Sequence, residues 1–367
     1  MSFTPDLLQQ YGWTETVAAS FASPALQGLT PGRVIIEYNN FYRVITAAGE
    51  TLAQCAGRLK HAAASRAELP AVGDWVGLRI REGKDEATIQ AVTPRHSRFL
   101  RKVAGSKTDA QVVAANVDTI FLVTSLNLDF NPRRIERYLA SVRESGASPV
   151  IVLSKADLCE DESLVDECLA GMRAAAGGAP VHAVSIVTGA GMAELAEYLT
   201  PGQTIALAGA SGVGKSSLIN FFAGTDLQKT REVREHDDRG MHTTTHRQLL
   251  LLPGGALALD TPGMREMQLW DADQGVQQTF EDIEALALHC RFSNCQHQNQ
   301  PGCAVRAALA SGGLDSGRYE NYIKLQEELQ QLAVRQNDIA RRNQQKQHRK
   351  LSRQAEERAR IKRSGKE

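Results

Sequence analysis

The chain has 367 residues, of which 42% are hydrophobic, so it can bury the cores of two or three ordinary domains. Its 42 basic and 42 acidic side chains cancel, and its first residues do not form a basic segment followed by an apolar block. Its longest apolar runs fall far short of the ~20 residues of a membrane helix, so we expect a cytoplasmic protein with reduced thiols and no membrane contact.

Residues 1–108 are expected to form a β-barrel behind a short N-terminal extension. Four β-like runs lie between about residues 32 and 92, separated by turns that contain Gly, Asn or Pro. A basic segment around Phe99 follows, and barrels that bind nucleic acid use such basic and aromatic surfaces. Its basic members are Arg95, His96, Arg98, Arg101 and Lys102. The alternative is a charged linker in which Phe99 belongs to the core.

Residues 109–272 have the pattern of an α/β domain. Buried apolar strands alternate with amphipathic helices, which predicts a mainly parallel sheet whose ligand-binding loops lie at its carboxyl edge. Two of these strands lead into short segments that contain serine or charged residues. The segments are Ser154, Lys155, Ala156 and Asp157 after the first strand and Ser185 and Ile186 after the second.

A phosphate-binding loop follows in the same domain. The segment GASGVGKS matches G-x-x-x-x-G-K-[ST] and stands between a predicted strand and a predicted helix, which is the context that this motif requires. Backbone N–H groups and the helix N-terminus are expected to hold phosphates, with Lys215 reaching the β- and γ-phosphates and Ser216 binding magnesium. The loop residues are Gly209, Ala210, Ser211, Gly212, Val213, Gly214, Lys215, Ser216 and Ser217. A glycine-rich turn that merely opens a helix is the alternative.

Two segments behind the loop resemble nucleotide switches. In LALDTPGM, Asp260 is expected to hold magnesium through a water molecule, and the Gly263 amide is expected to sense the γ-phosphate. Ahead of them, Thr243, Thr244 and Thr245 offer hydroxyl ligands to the metal. We assign Thr244, although the spacing does not separate the three. For D-T-P-G, an ordinary turn after a strand is the alternative.

The segments that would read the base precede the phosphate loop. Residues 154–157, SKAD, resemble the N/T-K-x-D motif of GTPases, in which the aspartate accepts from two guanine N–H groups that adenine lacks. Ser185 and Ile186 resemble the loop whose backbone N–H meets the guanine oxygen. The motif order predicts a circularly permuted GTPase domain, a rearrangement that is tolerated when the original termini lie close together. An ATPase is a weaker alternative, opposed by Asp157.

Residues 273–335 are predicted to form a helical zinc-binding domain. Three of the six cysteines and one histidine lie between residues 290 and 303, in the pattern C-x4-C-x-H-x5-C. Three thiolates and an imidazole fill a tetrahedral shell without an open position, which indicates one structural zinc ion. The ligands would be Cys290, Cys295, His297 and Cys303. Ordinary reduced cysteines are the alternative.

Residues 336–367 form a basic tail. From residue 341 onward it carries 11 Lys and Arg against 3 Glu, a charge of +8, while the 31 basic and 39 acidic residues before it sum to −8. Such an arm can neutralise the phosphates of a nucleic acid. The alternative is a solvated tail without a partner.

These features together resemble the bacterial RsgA or YjeQ family of GTPases that depend on the small ribosomal subunit. The resemblance covers about residues 30–325 and rests on GASGVGKSSLIN, HTTTH, DTPGM and CRFSNCQHQNQPGCAV. It implies an N-terminal OB-fold, binding of GTP and GDP, hydrolysis stimulated by the 30S subunit, contact with 16S rRNA and a role in late 30S maturation. We expect a monomer. Ser154 stands where the family usually has Asn, and its shorter side chain is expected to loosen base binding.

Two functions fit these patterns. The first is a switch enzyme that docks on the 30S subunit with GTP and leaves after hydrolysis, and the second is an RNA-binding assembly module with an occupied but idle nucleotide pocket. The residues Lys215, Ser216 and Asp260 favour the enzyme. Met264 stands where many GTPases have a water-orienting glutamine, so intrinsic turnover is expected to be slow. We assign water activation to His242, with a ribosomal group as the alternative.

Overall fold

The computed structural model describes residues 6–38, 41–80, 86–102, 110–126, 130–159, 161–224, 247–260 and 273–334. In chain order these residues form a five-stranded barrel, an α/β domain and a helical C-terminal module. The predicted fold class is confirmed. The basic tail lies outside the described residues. Within the described ranges, no helix is long and apolar enough to cross a membrane.

The barrel has the strand order of an OB-fold. Its strands are β1 (Thr30–Glu37), β2 (Tyr42–Thr46), β3 (Gly49–Cys55), β4 (Trp75–Ile80) and β5 (Glu86–Val92). They pair in the order β1-β2-β3-β5-β4, and β4 pairs again with β1 to close the barrel. Side chains alternate between the two faces of each strand, and Val34, Val44, Val76 and Ile89 are fully buried inside. The helices of this region are α1 (Asp6–Gln10), α2 (Glu15–Ser20) and α3 (Gly57–Ala62).

A two-stranded ribbon connects the barrel to the α/β domain. It consists of β6 (Arg98–Lys102) and β7 (Ala110–Ala115), which pair antiparallel and form a sheet of their own. The inner side chains of the ribbon, Phe99 and Val113, join the main hydrophobic core. The buried Phe99 therefore lies between the exposed Arg98 and Arg101 on this ribbon.

The α/β domain is built on a sheet with the order β10-β9-β8-β11-β13-β12. Its strands are β8 (Thr119–Ser125), β9 (Ser148–Ser154), β10 (Val181–Ala183), β11 (Thr204–Ala208), β12 (Arg247–Leu251) and β13 (Leu257–Asp260). Its helices are α4 (Pro132–Ser145), α5 (Glu162–Ala175), α6 (Met192–Ala196) and α7 (Lys215–Ala223). Ile120, Leu122, Ile151 and Leu153 are completely buried, as near-continuous apolar strands require.

The sheet topology places the predicted motifs at one edge. Strands β10, β9, β8, β11 and β13 run parallel to one another, so their carboxyl ends lie together. The strand that precedes SKAD, β9, comes before β11, which carries the phosphate loop. This order along the chain is the predicted circular permutation.

A buried arginine joins the barrel to the α/β domain. The Arg33 guanidinium donates to the carbonyl oxygens of Gly73 and Asn116, both at 3.2 Å, to the Thr204 hydroxyl at 2.8 Å and to the Tyr11 carbonyl. Burial lowers the pKa of Arg33 to about 10, which still leaves the guanidinium charged at neutral pH. The N-terminal helices, the barrel and β11 therefore share one anchor.

The C-terminal module is helical. It contains α8 (Asp273–Thr279), α9 (Glu281–Ala287), α10 (Ala304–Ala310) and a helix α11 over residues 316–334. Phe280, Ile283 and Val305 are fully buried in its core. The module packs on α4 of the α/β domain, and Gly275 approaches α4 so closely that a methyl group there would overlap the Ala140 carbonyl oxygen.

A buried charge network fixes this packing. Arg318 on α11 donates to Glu136 of α4 at 2.8 Å and binds Asp282 of α9 through two hydrogen bonds of 2.9 and 2.8 Å. Glu136 is completely buried, and Arg133 and Asn321 also donate to its carboxylate. The network lies between the C-terminal module and the helix that leads into β9.

We expect Arg318→Met to destabilise the docking of the C-terminal module by about 3 kcal/mol, because it leaves the buried Glu136 carboxylate with one cation fewer. Hydrogen exchange of α11 and the rate of limited proteolysis measure this change. Arg306→Met is the matched control, since the Arg306 side chain is exposed and its guanidinium donates only to Asn299 among the hydrogen bonds recorded in the described ranges. Equal protection of α11 in both variants contradicts the prediction.

Candidate nucleotide site and metal centre

The predicted phosphate loop connects β11 to α7. Gly209, Gly212 and Gly214 have positive φ angles of 145°, 82° and 96°, a region that glycine adopts without steric cost. At Gly209 a side chain would also overlap the Val123 carbonyl oxygen. The loop therefore requires glycine at its first position for two separate reasons, and its curled backbone leads directly into the N-terminus of α7.

Lys215 is the first residue of α7 and folds back over the loop. Its ammonium group donates to the Gly209 carbonyl at 2.8 Å and to the Ala210 carbonyl. The positive charge is thereby held at the place where the loop N–H groups and the helix N-terminus favour an anion.

The SKAD segment is tied to this loop by a hydrogen bond. Ser154 is buried at the end of β9, and its hydroxyl donates to the Val213 carbonyl of the phosphate loop at 2.6 Å. The Thr124 carbonyl at the end of β8 lies 3.3 Å from the same hydroxyl. Although serine is shorter than the Asn expected at this position, it spans the gap between the two loops.

The predicted base-reading residues also meet. Asp157 lies in a single helical turn over Ala156–Leu158, and Lys155 before it adopts a left-handed φ of 59°. The buried Ser185 donates its hydroxyl to Asp157 Oδ1 at 2.6 Å. Ile186 lies next to Ser185 and packs against the core on this side of the sheet. Asp157 thus follows β9 at the carboxyl edge of the sheet, and its side chain is exposed there with one oxygen bound to Ser185.

The described residues include only one of the predicted switch residues, Asp260. Asp260 is the last residue of β13, at the carboxyl edge that β13 shares with β11. The predicted residues His242, Thr243, Thr244, Thr245, Gly263 and Met264 lie outside the described residues.

We expect Ser154→Ala to weaken GDP binding by about tenfold, because the buried Val213 carbonyl loses its donor, and such a loss costs about 1–3 kcal/mol. Titration of a fluorescent GDP analogue measures the affinity. Ser311→Ala is the control, since Ser311 makes a similar hydroxyl-to-carbonyl bond on the surface of the C-terminal module. Equal affinities for the two variants contradict the prediction.

The four predicted zinc ligands converge in the C-terminal module. All their ligand atoms lie within 4.8 Å of one another. The sulfur atoms of Cys290 and Cys303 are 3.8 Å apart, and His297 Nδ1 is 3.6 Å from the first and 3.5 Å from the second. Zinc bonds of about 2.3 Å to sulfur and 2.0 Å to nitrogen give tetrahedral edges of about 3.8 and 3.5 Å. The cluster can therefore hold one metal ion of this size.

The local backbone donates hydrogen bonds to the sulfur atoms of Cys303 and Cys290. Cys303 caps α10, and its sulfur accepts from the Arg306 N–H at 3.5 Å. The pKa of the Cys290 thiol is lowered: its slight burial opposes ionisation, but the N–H groups of Val305 and Ala304 stabilise the thiolate. Thiolates are the form that binds metal.

Comparison with known proteins settles the family. The family model described as RsgA GTPase matches residues 92–270. A protein of Opitutus terrae named small ribosomal subunit biogenesis GTPase RsgA is 48% identical over 330 residues, covering 88% of this chain and 89% of that relative. The chain belongs to the RsgA GTPase family. As a member of the RsgA family it is a GTP-hydrolysing enzyme.

Solved structures agree with the RsgA fold. YjeQ from Thermotoga maritima matches with a TM-score of 0.62 and 28% identity, covering 82% of this chain and 98% of the other. YloQ, described as a circularly permuted GTPase, matches with a TM-score of 0.59 and 25% identity, covering 83% of this chain and 96% of the other. Both cover the RsgA domain together with parts of the chain on either side of it.

The basic segment around Phe99 only partly fits the surface that the sequence predicts for this RsgA chain. Phe99 is 5% exposed and belongs to the core, so the linker alternative is right for this residue. Arg95 binds the buried Asp74 through two hydrogen bonds of 2.7 Å and is mostly covered, so it cannot face a partner. His96 is half-exposed and lies 3.3 Å from Asp118. The side chains of Arg98 and Arg101 are exposed.

Sequence reasoning missed the contacts that hold the RsgA site together. No local sequence pattern identifies the Val213 carbonyl as the acceptor of the Ser154 hydroxyl. The Arg318 and Glu136 pair joins residues 182 positions apart and has no sequence signature. The one available signal was the position of Glu136 on the apolar face of the amphipathic helix α4. A charged residue on a buried face needs a partner.

Proposed function

We propose that this chain is a switch that docks on the small ribosomal subunit with GTP bound, hydrolyses GTP when docked, and leaves the subunit late in its maturation. The observation that carries the proposal is 48% identity across 88% of the chain to a protein whose name is small ribosomal subunit biogenesis GTPase. The partner would be the 30S subunit, contacted through 16S rRNA, and the protein would act as a monomer in the cytoplasm, where subunits are assembled.

In this proposal the nucleotide lies across the carboxyl edge of the sheet. Asp157 reads guanine, supported by Ser185, and the Ile186 N–H meets the guanine oxygen. Lys155 and Ala156 shape that pocket, and Ser154 fixes it to the phosphate loop. The phosphates are held by Gly209, Ala210, Ser211, Gly212, Val213, Gly214, Lys215, Ser216 and Ser217. Magnesium is held by Ser216, Thr244 and Asp260, and Gly263 senses the γ-phosphate.

The three parts of the chain take different tasks. The barrel region, residues 1–108, contacts rRNA through the exposed Arg98 and Arg101, and residues 109–272 hold GTP. The module over residues 273–335 holds one structural zinc ion through its three cysteines and one histidine, and the basic tail over residues 336–367 adds phosphate contacts.

We expect His242→Ala to lower subunit-stimulated GTP turnover by about a hundredfold, the size of a typical general-base contribution, because Met264 cannot orient the attacking water. GDP affinity and docking on the subunit should persist. Turnover in the presence of saturating 30S subunits measures the effect. Wild-type stimulated turnover in the variant refutes the assignment and moves water activation to a ribosomal group.

Co-sedimentation with purified 30S subunits tests the proposed function. The protein should sediment with the subunit in the presence of a non-hydrolysable GTP analogue and remain in the supernatant with GDP. An ATP analogue should behave like no nucleotide, because Asp157 has no matching donors on adenine. Equal binding in the GTP-analogue and GDP states contradicts the switch.

A further inference from the structure

Strand β12 pairs with a strand of the barrel on one side and with a strand of the GTPase sheet on the other. Gln248 is the register partner of Ile36 on the barrel strand β1 and of Asp260 on β13, so the three residues lie on one rung. Two strand spacings, about 10 Å, separate the barrel strand from β13. The barrel is therefore hydrogen-bonded through a single strand to the strand that ends at the proposed magnesium residue.

The neighbouring rung is fixed by an ion pair. Glu37 at the end of β1 accepts from Arg247 Nη1 at 3.0 Å, and the two side chains are only 15% and 16% exposed. Arg247 follows directly on residues 237–246, the segment that contains the proposed Thr244 and His242. An ion pair sheltered from solvent is screened less by salt and water than an exposed pair. The pair of Glu37 and Arg247 therefore constrains the start of β12 more firmly than an exposed pair would.

The second oxygen of Glu37 faces the basic ribbon. Gln111 on β7 donates to Glu37 Oε1 at 3.1 Å. Across the ribbon, Gln111 is the register partner of Arg101, whose side chain is exposed. Burial raises the pKa of Glu37, whereas the charge of Arg247 and the hydrogen bonds from Arg247 and Gln111 oppose that rise. One carboxylate thus connects the ribbon, the barrel and the first residue of β12.

We infer that Glu37 is a positioning residue for subunit-stimulated GTP hydrolysis, because it fixes β12 between the ribbon and the strand that ends at Asp260. The inference rests on the proposed function, since only the stimulated reaction needs a contact made at the ribbon to affect the nucleotide site. A shift of the ribbon or barrel acts on Gln111 and Glu37, then on Arg247 and β12, and finally on β13, which is paired to β12 along its whole length.

Glu37→Gln tests this inference, since it removes the charge and keeps the size. We expect stimulated turnover to fall about tenfold while turnover without subunits, GDP affinity and subunit affinity stay within about twofold of wild type. Arg247→Gln should produce the same loss, and the double variant should be no worse than either single one, because both remove one interaction. Arg247→Lys should retain most of the stimulation.

Glu50→Gln is the matched control. Glu50 pairs with Arg43 at 3.7 Å on the same barrel, but both side chains are about half exposed, and among the described residues neither side chain has a recorded hydrogen bond or ion pair to β12. An equal effect of Glu37→Gln and Glu50→Gln, additive losses in the double variant, or an equal fall in unstimulated turnover overturns the inference. If wild type itself is not stimulated, the proposed function fails, and that outcome is distinct from normal stimulation in Glu37→Gln.

Discussion

Alanine in place of Lys215 is expected to lower GTP turnover on the small subunit by about a thousandfold, the upper range for loss of one preorganised electrostatic donor. The ammonium group lies over the phosphate loop, 2.8 Å from the Gly209 carbonyl. Bound phosphates would offer it stronger, charged acceptors. The positive charge of Lys215 then stabilises the negative charge that develops on the transferred phosphoryl group.

Single-turnover measurements at saturating GTP separate this loss from weaker binding. Lys60→Ala is the control, because Lys60 lies on α3 of the barrel, far along the chain from the phosphate loop. The Lys215→Ala variant also decides between the switch and an idle assembly module. Release of Lys215→Ala from 30S subunits at the wild-type rate contradicts the switch and favours the idle pocket.

Serine in place of Cys295 is expected to reduce the zinc content from about one ion per chain to none and to unfold the C-terminal module. Structural zinc contributes about 10–16 kcal/mol of apparent binding free energy at neutral pH in small domains, and this free energy is not available to the unfolded module. Apart from Ala140 of α4, the buried residues of the hydrophobic core that contains Cys303 all belong to the module, and Cys290 and Cys295 pack against this core. GDP binding should therefore remain largely intact.

Elemental analysis and protease digestion of freshly purified protein measure the two effects. Cys168→Ser is the matched control, since this half-buried cysteine on α5 lies outside the cluster. We expect a chelator to reproduce the digestion pattern of Cys295→Ser in the wild-type protein. Wild-type protein that contains no zinc when freshly purified contradicts the assignment.

Local patterns in the sequence predicted the features that short segments encode. The phosphate loop needs glycines at fixed positions, and Gly209 and Gly214 show why, since both have left-handed backbone angles. The metal cluster likewise comes from four residues within one short segment. In both cases the geometry is determined by residues that are close along the chain, so the spacing carries the information.

Contacts between distant segments could not be predicted in this way. Arg95 belongs to a basic segment of the kind that binds RNA, but its guanidinium forms an ion pair with the buried Asp74. Glu37 and Arg247 are 210 positions apart, and their pairing follows only from the register of β1 on β12. Whether an arginine forms a buried ion pair or remains exposed is therefore determined by the fold. It cannot be predicted from a local sequence pattern.

The permuted order also determines which elements adjoin the two proposed switch segments. The segment after Asp260 leads into α8, which packs on α4 through the close approach of Gly275. The segment before Arg247 leads into β12, which the barrel holds by pairing and by Glu37. The second proposed switch thus continues into the C-terminal module, whereas the first continues into a strand that pairs with the barrel. We therefore expect nucleotide state and subunit contact to affect each other through two separate connections.

GTP turnover measured with and without purified 30S subunits tests the account most directly. We expect slow turnover of the protein alone and a rise of at least about tenfold with 30S subunits, because slow GTPases gain far more than this when a partner completes the site. Purified 50S subunits should not produce the rise, and ATP should not replace GTP. Equal turnover with and without 30S subunits would contradict the account.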